Sequence, residues 1–137
     1  MLPSGLPEIV ADGEDLARFL TSSSQYTARM AKPAAFLPAP KGRETSVFRH
    51  GAEPADALWA IGDKIVAGSR TIHGAAIVKA GDVRASGLGV FAEEPPPRHA
   101  TIRGWPWRDD DPELQKAQQK ELAILVASEA TLVWRFP

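Results

Sequence analysis

Prolines mark where this chain cannot continue a helix or a central strand. Five of its twelve prolines, at positions 3, 7, 33, 38 and 40, fall within the first forty-four residues, together with the run Ser22, Ser23 and Ser24. Proline lacks the amide proton that helix interiors and sheet ladders use, so this segment reads as repeatedly interrupted. The expectation is a proline-rich extended arm at 1–44 docked on an α+β body at 45–137. Two apolar clusters give the arm something to dock with: Leu16 with Phe19 and Leu20, and Phe36 with Leu37. On this reading removal of residues 1–10 does little, and removal of 1–40 uncovers an apolar patch.

From Thr45 onward the pattern becomes regular. "TSVFRH" at 45–50 is a run of β-formers ended by Gly51. "EPADALWAIGDKIVAGS" reads as a helix, with Pro54 tolerated in the first turn and Ala57, Leu58, Ile61 and Ile65 at helical spacing. Gly62 inside it costs about 1 kcal/mol relative to alanine, which points to close approach of another backbone. "GAAIVKA" and "LGVFAEE" read as strands, and "PPP" at 95–97 stops the second. Between them "GDVRASG" is a helical turn, capped by Asp82 and terminated by Gly87. Asp111 is the expected N-cap of the clearest helix, with Pro112 in its first position. "TLVWRFP" alternates Leu132, Trp134 and Phe136 with Thr131, Val133 and Arg135, the signature of a strand with one buried face. The chain is therefore expected to end inside the core. Four to five strands with two main helices, not in strict alternation, give an α+β fold: a small, mostly antiparallel sheet with both helices on one face.

A chain of 137 residues, 44% hydrophobic and 24% charged, is the size of one domain and can bury a core without staples. It contains no cysteine, which excludes disulfides, thiolate metal sites and cysteine nucleophiles, and fits a reducing compartment. The cytoplasm is the expected location, since no basic region precedes an apolar run at the N-terminus and "LAILVA" is too short to cross a bilayer. A net charge of -1 lacks the long-range field that gathers nucleic acid.

The sequence assigns no catalytic residue, no metal ligand and no cofactor. The three histidines, in "RHG", "IHG" and "RHA", are too far apart for a local zinc signature. Asp109, Asp110 and Asp111 are hard oxygen ligands in type, but helix capping explains them more simply. Ser22 to Ser24 lack the glycine-flanked elbow of a hydrolase and read as a loop. Neither "GSRTIHG" nor "ASGLGV" has the lysine and spacing of a phosphate loop.

The richest segment is "HATIRGWPW" at 99–107, which holds one histidine and two of the four tryptophans. As a strand, it turns Ala100, Ile102 and Gly104 to the core and His99, Thr101, Arg103 and Trp105 to the other side. Pro106 should end it and Trp107 should swing over the start of the last helix. The second face has two readings: a hydrophobic rim with Arg103 paired to nearby acids, or a binding surface. If the strand at 45–50 is its neighbour, Arg49 and His50 could join Arg98, His99 and Arg103 in a cationic pocket for phosphate or carboxylate, with Trp105 as a stacking wall. Alternatively these arginines pair with Glu44, Glu53, Glu93, Glu94 and the aspartates.

The blocks "RFLTSSSQY", "KPAAFLPAP", "ETSVFRHG" and "HATIRGWPW", in this order and followed by a helix and a terminal strand, resemble a family of small bacterial proteins with no known activity. The resemblance covers residues 17–137. It implies a compact stand-alone domain, of the kind found among accessory genes, and carries over no catalytic residue. The expected function is that of a small binding or adaptor protein acting through a protein-protein interface, its partner encoded nearby. The alternative is a ligand-binding domain or enzyme whose Arg/His pocket takes a small anion. Nucleic acid and membrane are not expected partners.

Overall fold

The computed structural model describes residues 1–50, 54–66 and 70–136. Gly51, Glu53, the end of the expected helix at 67–69 and the final Pro137 lie outside the described residues. The order of elements is β1 (Asp15–Leu20), β2 (Thr45–Arg49), α1 (Ala55–Ile65), β3 (Gly74–Lys79), α2 (Ala80–Ala85), β4 (Gly89–Ala92), β5 (His99–Arg103), α3 (Pro112–Glu129) and β6 (Thr131–Trp134), with short 3-10 turns at Ser23–Gln25 and Pro33–Ala35. The fold is α+β, built on one antiparallel sheet in the order β4-β5-β2-β1-β3-β6. It has six strands where the sequence pattern gave four to five.

The sixth strand is the one that proline spacing hid. Residues 15–20, assigned to the extended arm, form β1 in the middle of the sheet, paired along their whole length with β3 from Asp15↔Lys79 to Leu20↔Gly74. Leu16 and Leu20 bury on one face, Ala17 and Phe19 on the other. A strand covered on both faces does not alternate, which is why its sequence reads as a cluster. The flanking segments are also fastened. Val10 is buried, the Ser4 amide donates to Glu94 at 3.0 Å, and Phe36 is fully buried behind the 3-10 turn. Within the first ten residues Ser4, Pro7 and Val10 are thus held to the body, while Met1 and Ile9 are exposed.

The helices take both faces, not one. Leu58 and Trp59 of α1 cover Ala17, Phe19, Phe48 and Ala75. On the opposite face α2 and α3 bring Val83, Ala123, Val126 and Ala127 onto Leu16, Leu20, Val47, Ala76 and Val78. Alternate strand residues feed each layer, as the two-residue period of a strand requires. Gly62 does mark a close approach, but of side chains: a Cβ there would collide with Ile72 Cδ1 and lie 2.9 Å from Phe19 Cε1. Asp111 caps α3 as expected, its Oδ1 accepting from Leu114 N at 3.1 Å. Asp82 does not cap α2; it sits in the first turn, after Lys79.

Candidate functional site

In "HATIRGWPW" the core half is where the alternation puts it, with Ala100 and Ile102 fully buried. His99, Thr101 and Arg103 do share the other face, but the first two are buried. Arg103 folds back over them: its Nε donates to Thr101 Oγ1 at 2.9 Å and to Glu44 at 3.0 Å, its Nη2 pairs with Glu93, and its guanidinium lies 5.1 Å from the centre of Phe91. His99 Nδ1 contacts the Glu93 carbonyl at 2.8 Å. A carbonyl only accepts, so Nδ1 carries the proton, and in the neutral ring Nε2 accepts from Ser46 Oγ at 3.1 Å. This face is internally satisfied.

Trp105 is not on it. The strand ends at Arg103, and Gly104 at φ 96° takes a left-handed conformation that breaks the alternation. Trp105 therefore turns into the core, its Nε1 donating to Ile102 O at 3.2 Å. The segment after Pro106 runs along α3, where Gln119 donates to Pro106 O at 2.8 Å. Trp107 packs half-buried against the core with Arg43 4.7 Å over its ring, and its Nε1 is buried without a partner among the described residues.

The proposed Arg/His convergence does not form. β2 and β5 are neighbours, but their register pairs Phe48 with His99 and Thr45 with Ile102, which puts Arg49 and Arg103 at opposite ends of the ladder. Arg49 also faces the other side of the sheet. It is 1% exposed and forms a two-pronged ion pair with Glu14 at 2.8 and 2.9 Å, while Nη1 donates to Pro7 O at 2.7 Å. Burial pushes the Glu14 carboxyl up, but hydrogen bonds from Arg49 and the Ala11 amide, with the charges of Arg49 and Arg84, outweigh it and hold its pKa below the usual value. Arg98 donates to the carbonyls of Arg49 and His50. His50 Nδ1 is buried with no partner among the described residues. Arg49 thus ties the N-terminal segment to the sheet, and Arg98 ties the loop before β5 to the end of β2. The histidines do not assemble either: His73 bonds Tyr26 at 2.7 Å, far in partners from His99. Among the described residues no group of three His, Asp or Glu could hold a metal ion, and Asp109 and Asp110 pair with Arg43 and Arg108.

A different feature remains open to a partner. Between α3 and the segment around the 3-10 turn lies a hollow of about 520 Å³, whose rim carries Lys32, Lys116 and Lys120 over Pro33, Leu37 and Pro38. Past Lys32 and Pro33 it continues into a second hollow of about 250 Å³ between Met30 and Ile124. Met30 is 54%, Ile124 47% and Leu37 37% exposed. Among the described residues none of the three lysines forms an ion pair, and no carboxylate lines the groove. Sequence reasoning passed over this groove. Its one legible signal is the four-residue spacing of Lys116, Lys120 and Ile124 on α3, which aligns them on one helix face. The opposing wall comes from the segment read as an arm.

No protein-family model, curated protein or solved structure matches the chain. Among the described residues no helix is long and apolar enough to cross a membrane.

Proposed function

We propose that the protein is a small binding or adaptor protein that holds an acidic, amphipathic segment of another protein in the groove between α3 and residues 30–38. The observation that supports this is the combination of an exposed apolar floor with three lysines that have no carboxylate partner among the described residues. An apolar strip of this kind marks an interaction site, and uncompensated charge at its rim selects the sign of the partner. A helix with apolar anchors at i and i+4 and glutamates between them matches both requirements. The functional surface thus moves from the His99, Thr101 and Arg103 face, whose charges are already matched, to a surface whose charges are not.

The test is a charge exchange. A fluorescent helical peptide patterned with leucine and glutamate is titrated by anisotropy against the wild type and the double variant Lys116→Glu with Lys120→Glu, beside a peptide in which lysine replaces glutamate. Wild type should bind the acidic peptide, and the double variant should lose at least tenfold in affinity for it, about 1.4 kcal/mol, while gaining the basic one. Equal binding of the acidic peptide by both proteins, or none by wild type, overturns the assignment.

A further inference from the structure

We infer that the split between the two central strands, β1 and β2, is a binding site for a small organic anion, a carboxylate or phosphate ester with an apolar body. The split is visible in the register. β1 pairs with β2 only at Leu16↔Arg49 and Ala17↔Phe48, whereas its other edge pairs with β3 over six residues. Arg18 to Leu20 therefore have no ladder pairing with β2, and a hollow of about 370 Å³ opens there.

Arg18 sits at this opening. Its Nε donates to Ala35 O of the 3-10 turn at 2.8 Å and its Nη1 to Ser46 O at 3.0 Å, a β2 carbonyl that the missing ladder would have left bare. Among the described residues no carboxylate accompanies it. Arg49, Arg84, Arg103 and Arg135 each hold one, from Glu14, Asp12, Glu44 with Glu93, and Asp63. Among the described residues Arg18 has only neutral partners, and its Nη2 has no acceptor. A second arginine, Arg70, lines the same hollow and has no ion pair among the described residues. Burial, and then the neighbouring charge of Arg70, lower the pKa of Arg18, yet a guanidinium stays protonated in any protein. Two cations in one hollow, one of them withdrawn from water, repel each other and lack the counter-charge that buried ions normally find.

An oxyanion supplies that charge: Arg18, whose Nε and Nη1 are taken by backbone carbonyls, offers Nη2, and Arg70 offers the guanidinium fork that binds carboxylate or phosphate oxygens in pairs. The remaining walls say what the anion is attached to. Phe19 and Phe48, with ring centres 5.6 Å apart, give an apolar side, and Thr21 and Ser46 add polar groups near the charge. Inorganic phosphate uses only half of this site. A compact aromatic or branched acid uses all of it.

Phenylphosphate, phenylacetate and inorganic phosphate are titrated against the full chain by calorimetry. At least one organic anion should bind at least tenfold more tightly than inorganic phosphate, and the ratio of the two organic probes identifies the head group. Arg18→Met should abolish the binding. Because Arg18 also bridges backbone carbonyls, Arg70→Ala is the companion variant: Arg70 is exposed, so the melting temperature should be unchanged while affinity falls about tenfold. Absence of binding by every probe at millimolar concentration overturns the site. So does binding that survives Arg70→Ala unaltered, or inorganic phosphate binding as tightly as the organic anions.

Discussion

Two strands of the sheet exchange the places that their sequences suggest. β6 has the cleanest alternation in the chain, yet it pairs only with β3 and forms an edge. Trp134 is 40% and Phe136 62% exposed, and Trp134 meets the core side through an edge-on contact with Tyr26 at 5.0 Å. β1 shows no alternation, follows two prolines, and lies in the middle with Leu16, Ala17 and Leu20 fully buried. Alternation reports that one face of a strand meets water. It says nothing about how much of the core the other face supplies, and it vanishes where both faces are covered.

The largest expected effect follows from that contrast. Removing residues 1–20 takes out a central strand and separates β2 from β3, so the product should show no cooperative melt by circular dichroism. Removing 131–136 takes an edge strand and should leave a cooperative transition at lower temperature. If the two truncations exchange these outcomes, the placement of β1 and β6 is wrong.

What could be read in the sequence sorts by the range of the interaction that decides it. The Asp111 cap with Pro112, and the burial of Ala100 and Ile102, depend on neighbours within a few residues and were legible. Trp105 leaves the face that alternation gives it because Gly104 takes a positive φ, and glycine at a strand end does not announce its conformation. Arg49 was read as a ligand group because its partner, Glu14, lies 35 residues away in a segment assigned to the arm. Once β1 was missed, both the groove wall at 30–38 and the split beside Arg18 were out of reach, since each exists only where that segment is laid on the sheet.

The next effect tests how β1 is anchored. Glu14→Ala leaves Arg49 buried without its carboxylate and should cost about 3 to 5 kcal/mol by chemical denaturation, the usual cost of breaking a buried pair from one side. The same pair sets the acid response. Because the pKa of Glu14 is lowered in the folded state, its stabilisation is present above its ordinary value of 4.5 and is lost as pH falls through the lower folded value. Wild-type stability should therefore fall below about pH 4.5, and Glu14→Gln should flatten that part of the profile. An unchanged profile would place the acid-sensitive contact elsewhere.

Trp134→Ala comes third, and it is the edge-strand counterpart. A fully buried tryptophan costs roughly 3 to 5 kcal/mol when truncated, but Trp134 keeps 40% of its surface in water. About 2 kcal/mol is expected, below the loss from Glu14→Ala. A cost above that of Glu14→Ala would restore β6 as the main support of the core.

Arg103→Ala should have the smallest effect, and it separates the two candidate faces. Arg103 is the most accessible residue of the His99, Thr101 and Arg103 face, with 45% of its side chain exposed, and it already pairs with Glu44 and Glu93. Exposed ion pairs contribute up to about 1 kcal/mol, because solvent screens the attraction and ordering two long side chains opposes it. The melting temperature should therefore shift by only a few degrees, more in low salt than in high. The acidic peptide should bind Arg103→Ala as tightly as wild type, since no lysine of the groove is altered. A variant that keeps its fold but loses the peptide would return the interaction surface to β5, with Arg103 releasing its carboxylates to meet the partner. A variant that unfolds would make the Arg103, Glu93 and Thr101 network a structural clamp on the β4 and β5 edge of the sheet.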